Sequence, residues 1–154
     1  WKNFQKWENV MFARTFQVAV CLLLWVASAQ AQSNLGELLD KGAKKVSKIE
    51  YVAALPATFS FVWPNKQGEA ELLYKLDGTL SGNERHYQSN STSASTGTWT
   101  VDETGKWCSN KSLEAWGTTF KGCVFGFTLG DEYYFSASDS DRDSRVFTGK
   151  LKKQ

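Results

Sequence analysis

From Thr58 onward, apolar and polar side chains alternate. Thr58-Phe59-Ser60-Phe61-Val62-Trp63 places Phe59, Phe61 and Trp63 on one side, the period of two that marks a strand. Pro64-Asn65-Lys66-Gln67-Gly68 is a turn cluster. Glu69 to Leu76 predicts a second strand. Asp77-Gly78 follows it, among the strongest short hairpin signals, and Thr79 to Gln88 returns. Ser89 to Ala94 is polar and predicts a flexible loop. Ser95 to Val101 is the next strand, Asp102-Glu103-Thr104-Gly105 its turn, and Lys106 to Ser109 the partner. Asn110 to Phe120 carries no clear period and predicts a loop. Lys121 to Leu129 alternates again, with Cys123, Phe125, Phe127 and Leu129 on one face. Glu132 to Ser138 and Arg145 to Leu151 complete the set, with an acidic loop over 138–144 between them.

Before Thr58 the period is helical. Leu35, Leu38, Leu39, Val46 and Ile49 fall near helical spacing. Asn34 with Glu37 forms one potential capping box, and Ser47-Lys48-Ile49-Glu50 a sharper one, with Val46 and Tyr51 at the staple positions. Ile49, Val52 and Ala53 would make the apolar face of this second helix. Pro56 ends it, because the residue before proline is pushed out of the α region. One or two short helices are therefore expected within 34–55. Short strands at regular spacing, punctuated by turns, predict a mainly β fold. It is either a small antiparallel up-and-down barrel or a strongly curved meander sheet packed on the N-terminal helices. Closure would remove the exposed edges.

The N-terminus changes the domain picture. Met11 is the one methionine of the chain. A basic Arg14, an apolar run from Val18 to Ala29 and the small-x-small Ala29-Gln30-Ala31 read as a secretory signal peptide over 11–31. Residues 1–10 then read as upstream leader, and 32–154 as one β-rich domain, with a helical segment over 32–56 and a β-meander over 57–151. A periplasmic or secreted location follows. Cys21 leaves with the signal, so Cys108 and Cys123 remain. In an exported chain this pair reads as a disulfide. Lys and Arg balance Asp and Glu over 32–154, which gives no electrostatic reason to expect nucleic acid. The membrane is expected to matter only through the signal peptide.

Chemistry is sparse. His86 is the lone histidine. Glu84, His86 and Gln88 alternate together, and the pattern predicts a solvated outer face rather than an acid–base site. Asp139-Ser140-Asp141-Arg142-Asp143 begins like a calcium loop, but Ser144 and Lys150 stand where glycine and the bidentate glutamate belong, so a solvated turn is expected. No metal or cofactor is expected. Asn90-Ser91-Thr92 and Asn110-Lys111-Ser112 match the glycosylation pattern, which occurs often by chance. The aromatic side chains are the most informative residues. Trp63, Trp99, Trp107 and Trp116 would either fill a small barrel or line a ligand cup in it.

Several motifs carry a family likeness. They are Gly42-Ala43-Lys44-Lys45-Val46-Ser47-Lys48-Ile49-Glu50, Leu55-Pro56, and Tyr74-x-x-Asp77-Gly78-Thr79-x-x-Gly82. Gly97-Thr98-Trp99-Thr100-Val101, Gly105-Lys106-Trp107-Cys108 and Cys123 complete them. Over about 42–138 the chain resembles the exported proteobacterial family catalogued as domain of unknown function 995, or a close relative of it. The resemblance implies a periplasmic or secreted β-rich domain and supplies no catalytic residue. Gly97-Thr98-Trp99 also matches the Gly-x-Trp of lipocalins and avidin-like barrels, but there it lies on the first strand and here it lies mid-chain. The expectation is a non-catalytic binding module for an apolar or aromatic ligand, or for an envelope protein, with the tryptophans as its contacts. The alternative is an inhibitor or interaction protein acting through 89–94, 109–120 and 138–144.

Overall fold

The computed structural model describes residues 34–154; the leader and signal peptide read over 1–31 lie outside the described residues. Two helices, α1 (Leu35–Asp40) and α2 (Lys48–Ala54), flank a two-residue strand, β1 (Lys44–Lys45). Eight further strands follow: β2 (Ala57–Val62), β3 (Gly68–Tyr74), β4 (Thr79–His86), β5 (Ser91–Val101), β6 (Lys106–Leu113), β7 (Thr118–Leu129), β8 (Glu132–Ser136) and β9 (Val146–Lys153). Each of these pairs antiparallel with the next, and β9 pairs back onto β2, so the sheet closes as an up-and-down barrel. Followed once around, the register returns to β2 displaced along the strand, the stagger that closing a tilted sheet requires.

The hairpins follow from local chemistry. Gly78 and Gly105 take the positive φ their turns require, at 82° and 80°. In each turn an aspartate closes the loop: Asp77 Oδ1 accepts from the Thr79 N–H at 2.9 Å, and Asp102 Oδ1 from the Thr104 N–H at 2.9 Å. The threonine hydroxyls add a second bond to the same oxygens. These bonds hold both carboxyls below the usual carboxylate range.

Both predicted caps form. Asn34 Oδ1 accepts from the Glu37 N–H, and Ser47 with Glu50 makes a full capping box. The buried face of α2 differs from the expected one. Ile49 is 80% exposed and Val52 40%, while Tyr51 and Leu55 point into the barrel. Tyr51 therefore acts as the plug of that end, and its hydroxyl lies against Gly126, where a Cβ would approach to 2.0 Å. Helix α1 lies outside the wall. Its Leu35 and Leu38 pack on Phe125, Phe127 and Tyr134, so the outward face of β7 is also apolar.

Two segments read as loops are strands. Ser91–Ala94 opens β5, and Asn110–Leu113 extends β6, with only the 3-10 turn Glu114–Trp116 and Gly117 before β7. Cys108 and Cys123 thus do not bridge a loop. They face each other on β6 and β7 with Cα atoms 4.0 Å apart, and their disulfide lies on the outer wall. The loop over 138–144 is tied down: Lys45 pairs with Asp139, and Arg142 with Asp40 on α1. Its carboxylates do not converge, and among the described residues no cluster could hold a metal ion.

Candidate ligand-binding cavity

Strand alternation assigns the barrel interior. Ala57, Phe59 and Phe61 come from β2, with Trp63 just past its end, and Ala70, Leu72 and Tyr74 from β3; Leu80, Gly82, Glu84 and His86 come from β4. Ser91, Ser93, Ser95, Gly97 and Trp99 come from β5, and Trp107, Ser109, Lys111 and Leu113 from β6. Large rings thus come mainly from one side of the barrel, and glycine and serine from the other. Where the rings meet glycine and serine, close packing is incomplete, and a hollow remains.

The lower part is filled. Trp107 stacks on Trp99 with centroids 4.5 Å apart and planes 10° apart. Tyr51, Phe59 and Tyr74 close around Trp107 at centroid distances of 4.7, 6.0 and 5.0 Å. The Trp99 indole N–H is spent on the Lys75 carbonyl at 2.9 Å. Burial pushes the Tyr51 and Tyr74 phenols well up, and the Glu84 carboxylate adds to the effect at Tyr74.

Above this floor opens a cavity of about 850 Å³. Trp107 and Tyr51 form part of its base, Phe59, Phe61, Phe135 and Phe147 its wall, and Trp63, Trp116 and Phe120 its mouth. Trp63 meets Trp116 edge-on at 5.9 Å and His86 at 5.8 Å. A polar chain continues the rim. Trp116 Nε1 donates to Ser91 Oγ at 3.1 Å, Ser91 Oγ lies 2.8 Å from Ser89 Oγ, and Ser89 Oγ lies 3.1 Å from His86 Nδ1. The wall is low on one side, because β8 pairs with β7 only over Phe125–Leu129. Phe120, above that stretch, is half exposed.

Of the four tryptophans singled out from sequence, Trp63, Trp107 and Trp116 line the cavity and Trp99 lies beneath it. Glu84 and His86 do not lie on a solvated outer face. Both point inward, and β4 ends at His86, leaving Gln88 in the following turn. Glu84 is 3% exposed. Its Oε1 accepts from Ser95 Oγ at 3.1 Å and forms an ion pair with Lys111, itself 7% exposed. The His86 Nδ1 lone pair already takes the Ser89 N–H at 3.3 Å, a local turn closure, and no hydrogen bond links Glu84 to His86 among the described residues.

Lys111 is a site residue that the sequence pattern did not flag, and Glu84 is one that the pattern assigned to the solvated face. The available signal was parity. Lys111 shares its strand face with Trp107 and Leu113, and Glu84 with Leu80. The Lys111 ammonium also lies 5.9 Å from the Phe61 ring centre and 5.0 Å from that of Phe120, within cation–π range.

Fold and hollow together define a closed eight-stranded up-and-down β-barrel, plugged at one end and carrying a ligand-sized aromatic cavity at the other. No known protein family, curated protein or solved structure matches the chain.

Proposed function

We propose that this protein is a non-catalytic binding module that holds an apolar or aromatic small molecule inside its barrel. The observation that carries this reading is the aromatic-walled cavity of about 850 Å³. Ligand pockets typically run to roughly 300–1,000 Å³ and are lined mainly by apolar side chains with a few placed polar groups. Trp63, Trp107 and Trp116 supply flat faces at the mouth and base, and Glu84, Lys111 and the serines supply the polar groups. The segments 89–94 and 109–120, which an inhibitor would present as free loops, are largely strand, and this favours the cavity over the loops.

Export belongs to the same proposal. It is supported by the signal-like pattern over 11–31 and by a disulfide on the outer wall, since disulfides persist in oxidising compartments. Two free thiols in unfolded, unreduced, periplasmically expressed protein would refute the cross-link. An activity requiring His86 as a base is not part of the proposal, because that ring is engaged in the rim.

Titration of intrinsic tryptophan fluorescence with a set of naphthalene-sized aromatic probes tests the binding reading. It predicts saturable quenching with one site per chain, weakened at least about tenfold in Trp116→Ala, as truncation of a buried aromatic contact typically does. Absence of saturation with every probe would overturn it.

A further inference from the structure

Resting on that binding reading, we infer that the cavity selects an uncharged aromatic ligand that carries a hydrogen-bond donor and acceptor side by side, an amide-like polar end, and that Glu84 and Lys111 together receive it. The observation is an ion pair that is nearly buried and only half satisfied. Glu84 uses one oxygen, Oε1, for both Lys111 and Ser95. Oε2 makes no hydrogen bond to another described residue, and Glu84 lines the cavity; the Tyr51 hydroxyl is the sole sealed side-chain polar atom left unpaired among the described residues. Lys111 spends one hydrogen bond on Oε1, and the rest of its ammonium faces the rings of Phe61 and Phe120. An ammonium has three donors. One free acceptor and unspent donors therefore sit side by side in the wall of an otherwise aromatic hollow.

Such a pair selects on charge. Lys111 and Glu84 already neutralise each other. A carboxylate reaching Lys111 would sit beside the Glu84 carboxylate, and an ammonium reaching Glu84 would sit beside Lys111, each at a low dielectric where like charges are costly. A neutral amide meets both sides: its N–H donates to Glu84 Oε2 and its C=O accepts from Lys111 Nζ. Bonds of this kind, with one charged partner, are the stronger class. A pure hydrocarbon would leave Glu84 Oε2 and the spare Lys111 donors without a partner.

Four probes sharing one ring system test this on the full chain: naphthamide, naphthoate, naphthylmethylammonium and methylnaphthalene, followed by tryptophan fluorescence. Naphthamide is expected to bind at least about tenfold more tightly than any of the others, the discrimination that hydrogen bonds to charged groups supply. In Glu84→Leu/Lys111→Met that lead falls below about twofold while methylnaphthalene binds as well or better; removing both partners at once avoids stranding a buried charge. Equal binding of naphthamide and methylnaphthalene, or tightest binding of either charged probe, overturns the inference and leaves the binding reading standing. No saturation with any probe overturns both. Should the double variant fail to fold by circular dichroism, the ranking on the native protein decides alone.

Discussion

The two ends of this barrel use the same residue type for different purposes. At the plugged end Trp99 and Trp107 stack, Tyr51 and Tyr74 close over them, and the Trp99 N–H is satisfied by backbone. At the open end Trp63 and Trp116 meet edge-on at the rim, linked through serine hydroxyls to His86, with empty volume below them. The difference comes from what faces each pair. Trp107 is packed by the rings of Trp99, Tyr51, Phe59 and Tyr74, whereas the upper rings share the cavity wall with Ser91, Ser109 and Gly122. Tryptophan count alone says nothing about which role an indole plays. The size of the side chains across the barrel decides it.

Truncation should separate the ends most sharply. Trp107→Ala removes the keystone of the floor and is expected to cost about 3–5 kcal/mol in urea unfolding, as large core truncations do. Trp116→Ala, at the rim, should cost less than about 1 kcal/mol. Equal costs would erase the distinction. The disulfide sits beside Trp107 and holds together the hairpin that carries floor and mouth alike. Replacing both cysteines by serine should cost about 3 kcal/mol, the chain-entropy value for a loop of this length, with no change in which probes bind.

A third variant probes the polar wall. Glu84→Ala strands the Lys111 ammonium, and breaking a buried pair costs roughly 3–5 kcal/mol; water entering from the cavity should reduce this to about 2. The double variant Glu84→Leu/Lys111→Met should be more stable than Glu84→Ala. The reverse order would show that the pair is a stabilising strut instead of a polar patch kept for a ligand.

The smallest effects are those of pH. Asp77 and Asp102 are held below the usual carboxylate range, chiefly by the hydroxyls of Thr79 and Thr104. The folded state therefore binds fewer protons than the unfolded one near the ordinary aspartate value. The stability they add is present above about pH 4 and lost as pH falls through their lowered values. Tyr51 and Tyr74 act at the other extreme. Burial raises their values, so their contribution is full below about pH 10 and declines above it, as the unfolded phenols ionise first. Tyr134, pushed up to about 12 by burial and its bond to Glu132, adds to the same alkaline loss. The thermal midpoint should fall modestly at both ends of the pH scale. Alkaline loss that persists unchanged in Tyr51→Phe would break the assignment to the plug.

Sequence patterning was legible where the inward side chains are apolar and where turns and caps use their usual residues. Phe59, Phe61 and Trp63, the Asp77-Gly78 hairpin and the Ser47–Glu50 box all form as their chemistry dictates. It was illegible where polar side chains point inward. Ser91–Ala94 reads as a loop because its inward residues are serines, Ser91 at the cavity and Ser93 bonded to the backbone of Ala94 and Ala115, and Asn110–Phe120 loses its period because Lys111 points inward. Glu84 reads as solvated for the same reason. Apolar–polar alternation marks a strand only where its inward residues are apolar. The positions where local rules fail therefore coincide with the candidate site, as expected of a functional surface. The choice of Tyr51 over Ile49 and Val52 was also hidden, because it depends on the gap left above Gly126.

The most direct test of an open mouth above a closed floor is the indole N–H region of a proton–nitrogen correlation spectrum during titration with naphthamide. The Trp63 and Trp116 signals are expected to move together and saturate, while the Trp99 N–H, held by the Lys75 carbonyl, stays protected from hydrogen exchange with and without the probe. Saturable movement centred on Trp99 with the rim signals unmoved, or no movement at all, would contradict it.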